Sequence, residues 1–458
     1  MTAKQLLLSL ASLPLLAVMT QCASESGPDD SGETGRPEAK KYLSISLNSK
    51  EVSNASGTFK LNVTANCEWK AVTDAAWITL SKDSAPRGEV IKVSYQANSE
   101  GNLRTGVVRF SGEGVSPVTL TIVQGGTFSN PVGGIPDPYI VKDGNKYYLV
   151  KAAKGINISH SKKLSELVRT KEVWRPDINS STAWNTSHIW APEMHKIDGR
   201  WYIYYTAGRP SSESGGSYKL QRSGVLRAKT NDPEGEWEDM GMLYTGDAYT
   251  EGITAVAANT KYAIDLTVFE LRGQLYAVWS GAAGANDSNQ SIYIATMSNP
   301  YTISSSRVHL SSADQDWELH SSRIQEGPAI LRRNGKIFII YSCNGSWTKH
   351  YRLGYLVMDE NSDPMKKENW TKSPGQVFYR CDNTSDKDGV NGVGHCSFTV
   401  SPDGTEDWIV YHAKNRNDNT YTTGRSTYLK RFTWKADGTP DFGTPCGYGE
   451  ESVVPSGE

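Results

Sequence analysis

Five phrases decide the reading of this chain: DGNKYYLVKA at 143–152, DGRWYIYYTA at 198–207, RGQLYAVWSG at 272–281, NGKIFIIYSC at 334–343 and DGTEDWIVYHA at 403–413. Each opens on a tight glycine turn and runs into a strand that mixes aromatic and aliphatic side chains, which is the middle of a β-meander. The first two turns, at Asp143 and Asp198, stand 55 residues apart and the later gaps are somewhat longer. That spacing suits a four-stranded blade with insertions, so five copies predict a five-bladed β-propeller. Third strands follow in several copies as GINISHS, SIYIATMSNP and YRLGYLVMDE.

The strand before each turn is the innermost of its blade, and its start lies near the propeller axis. Counting back from the aligned aromatics Tyr148, Tyr202, Tyr276, Phe338 and Trp408 reaches Asp137, Trp190, Asp265, Glu326 and His395, at offsets of 11, 12, 11, 12 and 13 residues. A period-2 strand of that length would carry all five to one end of the central channel. Singly, each acid reads equally well as a turn or strand-end residue. Jointly they do not, because incidental acids have no reason to recur at matching places in different repeats. Trp190 in HIWAPEMH reads either as core or as site, and His395 in GVGHCSFTV either as structural or as site.

Upstream, about eighty residues hold LSISL, GTFKLNVTA, WKAVT, WITLS, EVIKVSYQA, RTGVVRFSG and PVTLTIVQ, divided by Gly, Asn, Asp and Pro turns. So many short alternating strands predict a small immunoglobulin-like β-sandwich over residues 42–125. It holds no catalytic cluster. Trp69 and Trp77 are either sugar-stacking platforms or core plugs, and a spacer is the favoured role. The propeller then occupies 127–450, and the whole chain is all-β.

The first residues place Lys4 before an apolar stretch from Leu6 to Met19, too short to span a bilayer, which reads as a signal peptide over 1–21. Cys22 behind it resembles the acylated cysteine of bacterial lipoproteins, although Gln21 departs from the usual small residue and an ordinary secretory signal is the alternative. Residues 22–41 are polar, acidic and rich in Ser, Gly and Pro, a flexible tether. These features imply an exported protein, lipid-anchored to the outer membrane on its periplasmic or outer face. No other part contacts the membrane.

A chain of 458 residues exceeds one ordinary core, and 42 Gly, 23 Tyr and 13 Trp favour turn-rich β structure with aromatic surfaces. The formal charge of −2 removes the electrostatic case for a nucleic-acid partner and suits a neutral substrate. Cys22, Cys67, Cys343, Cys381, Cys396 and Cys446 lack the paired spacing of a disulfide framework or zinc site, and Cys343 and Cys396 fall in strand patterns as small core residues.

Two resemblances follow from these phrases. The run NCEWKAVTDAAWITLS with YQANSEGNLRTGVVRFSGEGVSPVTLTIVQ resembles the Bacteroidetes-associated carbohydrate-binding often N-terminal (BACON) domain. From about Asn130 to Pro445, PDPYIVKDGNKYYL, WAPEMHKIDGRWYIYYTA, IDLTVFELRGQLYAVWSG, EGPAILRRNGKIFIIYS and GHCSFTVSPDGTEDWIVYHA occur in the order of glycoside hydrolase family 43, a five-bladed propeller family that inverts configuration. The resemblance implies Asp137 as general base, Glu326 as general acid and Asp265 as the residue that orients Glu326 and tunes its pKa. It implies His395 and Arg425 as substrate-binding residues, with a surface salt bridge the competing reading of Arg425, and Trp190, reached by the repeat count, is the third substrate-binding candidate. It places a calcium ion or water cluster on the axis beside His395, though the chemistry itself requires no cofactor.

The substrate implied is plant cell-wall polysaccharide or oligosaccharide, and the stretch around IDLTVFE and WELHSSRIQEGPAIL looks most like the exo-acting α-L-arabinofuranosidases. β-Xylosidase and endo-arabinanase or galactanase activity on the same scaffold, or a non-catalytic glycan-binding surface lipoprotein, are the alternatives. An exo-enzyme needs a pocket closed behind the terminal sugar, for which the insertions from Arg209 to Lys219 and from Thr230 to Ala263 are the candidate walls.

Overall fold

The computed structural model describes residues 40–167, 169–284, 288–382, 389–415 and 424–458. The export segment, Cys22 and nearly all of the tether lie outside them. Among the described residues no helix is long and apolar enough to cross a membrane.

Residues 43–125 form two facing sheets. One orders its strands Leu43–Ile45, Gly57–Ala65, Glu89–Tyr95 and Ile78–Leu80; the other orders Ser49–Ser53, Val118–Gly125, Arg104–Gly112, Trp69–Thr73 and Ser84–Ala85. Ser49–Ser53 pairs in parallel with Val118–Gly125. Its sequence, SKEVS, carries one apolar side chain, so no alternation announces it. Trp69 is fully buried between the sheets, and Trp77 packs against the same core with the Arg104 guanidinium 4.4 Å above its ring. Neither indole is an open platform for a sugar.

The remainder is five antiparallel sheets in chain order, each beginning with an inner strand: Tyr139–Asp143, Ser187–Ile197, Ala263–Leu271, Gln325–Arg333 and Val390–Val400. Each inner strand touches the next, and the fifth touches the first, so the set closes on itself. The five glycine-turn phrases form the second strands. Each is covered on both faces, which is why the phrases are apolar almost without interruption.

Five apolar clusters fill the gaps between successive sheets. Tyr148 and Ile158 meet Trp201 and Ile203 between the first two sheets, and Tyr204 and Val225 meet Trp279 and Leu266 between the next two. Val278 and Ile294 meet Ile339 and Leu356, and Phe338 meets Tyr411 and Phe432. Leu149 and Tyr147 then meet Trp408 and Val410, joining the last sheet to the first. Cys343 and Cys396 are buried in this packing, and the five described cysteines are free thiols. At the junction with the N-terminal sheets, Thr127–Ser129 pairs with Glu451–Val453 near the C-terminus.

Candidate active site

The inner strands share one backbone device. Val141, His195, Phe269, Leu331 and Thr399 pair with the five aligned aromatics, and the residue four places before each has positive φ: Asp137 (50°), Ala191 (38°), Asp265 (56°), Gly327 (57°) and His395 (43°). Left-handed backbone at non-glycine residues is costly and persists where the surroundings enforce it. A register shift accompanies it in the second to fifth sheets, so an extra residue bulges toward the axis. The strictly equivalent positions are therefore Asp137, Ala191, Asp265, Gly327 and His395. Trp190 and Glu326 sit one residue earlier, which accounts for their offsets of 12, and the offset of 13 at His395 comes from a longer turn between Thr399 and Trp408.

A bulge frees backbone N–H groups from the ladder, and neighbouring sheets satisfy them. The amide of Asp265 donates to Oγ1 of Thr206 at 3.1 Å, that of His395 to Oγ of Ser342 at 2.8 Å, and that of Asp137 to Nδ1 of His412 at 3.2 Å. The amide of Gly327 donates to Oδ2 of Asp265 at 3.1 Å. These clasps tie four of the five positive-φ positions to the preceding sheet, and the one from His412 spans the closure between the last sheet and the first.

Asp137, Trp190, Asp265, Glu326, His395 and Arg425 all line one cavity of about 560 Å³. Oδ1 of Asp137 receives Nη1 of Arg425 at 2.7 Å and lies 3.3 Å from Nδ1 of His395 and 3.2 Å from Nδ1 of His412. Among the described residues none bonds to Oδ2. Arg425 is thus neither a surface bridge nor free; it is the counter-ion of Asp137. Trp190 stands in the wall rather than the core, edge-on to Tyr218 at 5.1 Å and to His188 at 5.7 Å.

The electrostatics separate the acids. Burial alone would raise the Asp137 carboxyl, but Arg425, His395 and His412 outweigh it and hold Asp137 far below the usual carboxylate range. Glu326 is pushed up to about 7 by burial, with the Tyr351 phenol working against the shift and the Asp137 charge adding to it. Asp265 is raised as well, first by burial and then by the charges of Glu326 and Asp137, while the Gly327 amide opposes. Glu326 and Asp265 therefore cannot both ionise cheaply near neutral pH. His412 falls to about 3, chiefly through burial, and stands neutral beside Asp137. Burial also lowers His395.

Of the two insertions, the first supplies Ser217, Tyr218 and Lys219 to the cavity wall, and the second supplies only its end, Tyr262. The body of the second instead forms the strand Trp237–Met242 and packs Tyr244, Tyr249 and Ile253 against the core between the second and third sheets. Its apolar side chains are what commit it to packing.

Several groups escaped the reading of the sequence. His412 stands inside the fifth glycine-turn phrase, where it passes for a strand residue. Glu193, within the quoted WAPEMH, is 3% exposed and lies 3.0 Å from Nε2 of His195. Trp347 and Gln290 line the cavity from loops that carry no repeat signal. As for calcium, no three His, Cys, Asp or Glu side chains cluster as a metal group among the described residues. His395 offers one nitrogen where calcium takes several oxygens, so these residues do not fit the ion.

Residues 128–440 match the family described as Glycosyl hydrolases family 43, and residues 43–127 match that described as Viral BACON domain. The chain is 33% identical over 338 residues to an extracellular exo-alpha-(1->5)-L-arabinofuranosidase of Streptomyces avermitilis, covering 71% of this chain and 65% of that protein. It is 32% identical over 330 residues to alpha-L-arabinofuranosidase B of Pyricularia oryzae, covering 69% and 63%. It thus spans just under two thirds of the length of these two relatives. The crystal structure of an alpha-L-arabinofuranosidase from Lactobacillus brevis superposes with a TM-score of 0.62 at 34% identity, covering 70% of this chain and 98% of that one.

Proposed function

The chain belongs to glycosyl hydrolase family 43, and from that premise we propose that it is an inverting, exo-acting α-L-arabinofuranosidase that removes terminal arabinofuranosyl groups from arabinan, arabinogalactan or arabinoxylan. The observation that carries this reading is the split between two carboxyls in one cavity, with Asp137 held ionised and Glu326 held protonated to about pH 7. One group must take a proton while the other gives one, and this split prepares both for the work. Relatives named as arabinofuranosidases support the sugar.

In this reading Oδ2 of Asp137 takes a proton from water as that water attacks the anomeric carbon. Oδ1, already engaged by Arg425, keeps the carboxylate ionised and fixed in direction. Glu326 delivers its proton to the leaving oxygen as the glycosidic bond breaks, so the sugar departs with inverted configuration. Asp265 fixes the backbone behind Glu326 through the Gly327 amide, while burial and the neighbouring Glu326 raise its own carboxyl well above the usual range. Trp190, His395 and Arg425 line the terminal-sugar pocket, with Tyr218 closing its outer wall. The proposed chemistry needs no cofactor, and no step passes through a metal.

The five closed sheets are in this proposal a five-bladed β-propeller over 127–450, and residues 42–125 a BACON-like sandwich serving as spacer. The buried Trp69 and the covered Trp77 favour the spacer over a glycan binder. The extracellular relative supports export. A lipid on Cys22 and display at the outer membrane, with plant cell-wall polysaccharide as partner, complete the reading.

The test is arabinose release from 4-nitrophenyl α-L-arabinofuranoside and from polymeric arabinan, beside 4-nitrophenyl β-D-xylopyranoside. Arabinose release that disappears in Asp137→Asn and in Glu326→Gln, both still folded, is the expected result. Full activity in either variant sinks the assignment, and preference for the xyloside would move the enzyme to the β-xylosidases.

A further inference from the structure

Trp347 is exposed to 46%, the one exposed tryptophan among the described residues, and it lines the mouth of the catalytic cavity. At the edge of a cavity, a solvent-facing indole offers a flat apolar face to a ring that enters there. The ring is not loose. A Cβ built on Gly345 would fall 2.7 Å from Cε2 and Cζ2 of Trp347, so one face of the indole rests on the bare glycine backbone and only glycine admits it there.

The loop beneath is knit into a fixed form. Asn344 has φ of 70° and is fully buried, and its Oδ1 accepts the amide of Ser321 at 3.0 Å. The amide of Gly345 donates to Oγ of Ser321 at 3.0 Å, and the amide and hydroxyl of Thr348 both donate to the carbonyl of Gly345 at 2.9 Å. This pinned ring presents its other face at low entropic cost, as a stacking platform requires.

Its position fixes which sugar would lie on it. The loop follows the strand Lys336–Cys343, and within that strand Ser342 pairs with Glu326. Trp347 therefore stands on the same sheet as the proposed acid, the side from which the leaving oxygen is protonated. Across the mouth, Tyr218 is turned edge-on to Trp190 and His188 and belongs to the wall around the terminal sugar.

We propose that Trp347, held on Gly345, is a preformed stacking platform for the sugar ring immediately beyond the scissile bond, so that the enzyme selects substrates carrying at least one further sugar unit. This rests on the hydrolase reading above. The apolar CH face of a furanose or of a pyranose supplies the same contact, and the two come from arabinan and arabinoxylan respectively.

The test compares kcat/KM on α-L-arabinofuranosyl fluoride, whose leaving atom cannot reach Trp347, with kcat/KM on α-1,5-arabinobiose and on an arabinofuranosyl-xylobiose. In Trp347→Ala the ratio of oligosaccharide to fluoride should fall roughly tenfold, and Trp347→Phe should restore most of it. Gly345→Ala keeps the indole but forces it from its seat, so it should lower the same ratio without removing an aromatic. The oligosaccharide with the larger loss identifies the ring that stacks. Equal losses on fluoride and oligosaccharides, or an unchanged ratio, overturn the platform while leaving the hydrolase reading intact. Wild-type enzyme that cleaves none of the three overturns the arabinofuranosidase reading, and this one with it.

Discussion

The amide of Gly327 donates to Oδ2 of Asp265 at 3.1 Å, so the carboxyl of one sheet holds the backbone directly behind the proposed acid, Glu326, of the next. The contact makes Asp265 a positioning residue for Glu326. Asp265→Ala leaves that amide without its acceptor. Activity should fall by about a hundredfold while the alkaline limb of the pH profile stays near 7, because burial and the Asp137 charge are what raise Glu326. A limb moved to lower pH would show that Asp265 also acts on Glu326 as a charge.

The wild-type pH profile follows from the split between the two carboxyls. As the proposed general acid Glu326 works protonated and loses its proton at about 7, whereas Asp137 stays ionised far into the acid range. Plotted against pH, kcat/KM should be flat through the weakly acid region and drop about tenfold per unit above neutrality. An ascending limb near the ordinary carboxylate range would mean that Asp137 is not held down as its three basic neighbours require.

Arg425 controls that acid limb. Its Nη1 lies 2.7 Å from Oδ1 of Asp137, and it is the strongest influence lowering that carboxyl against burial. Replacing it by Met leaves Asp137 with two largely neutral histidines. The Asp137 pKa should rise, an acid limb should enter the measurable range, and kcat/KM should fall by about ten- to a hundredfold. A loss of rate without the new limb would leave Arg425 as a sugar contact only.

A raised acid is also a stability statement. Glu326 moves from 4.5 to about 7 on folding, so the folded state keeps a proton that the unfolded chain releases. Below 4.5 both states are protonated and nothing is lost; between 4.5 and about 7 the wild type loses stability, and above that the loss is complete, on the order of 3 kcal/mol. Glu326→Gln cannot ionise. It should be more stable than wild type near pH 8, with the gap closing toward acid pH, as denaturant melts at the two pH values would show.

Much of this was legible in the sequence, for physical reasons that also mark where legibility stopped. The second strand of each sheet is packed on both faces, so the five glycine-turn phrases had to be apolar throughout, and their repetition exposed the architecture. Counting back to Asp137 and Asp265 succeeded because both occupy the repeated left-handed position. The same count landed on Trp190 and Glu326 one residue short of Ala191 and Gly327, since a bulge leaves no signature in a period-2 pattern. His412 was hidden because its partner Asp137 comes from another sheet, and periodicity reports only local faces. Ser49–Ser53 was missed because a polar edge strand has no alternation to read.

The junction between the two parts of the chain offers a final test. Oε1 of Glu51 lies 2.9 Å from Nη2 of Arg431, its Oε2 accepts the amide of Val453 at 3.0 Å, and Arg431 also reaches Oε1 of Glu406 at 3.0 Å. One carboxylate thus anchors the N-terminal sheets to both the fifth sheet and the C-terminal strand. These groups keep some contact with solvent, so the pair itself contributes only about 1 kcal/mol, but it sits where few other polar contacts cross. Glu51→Ala should leave kcat/KM on arabinan unchanged, because the cavity draws nothing from this junction. Thermolysin cleavage near Phe128 should instead accelerate several-fold, as the strand Thr127–Ser129 loses the support of its neighbour and opens more often. Cleavage at the wild-type rate would mean that apolar contacts around Gly125 and Val453 hold the junction closed without the ion pair.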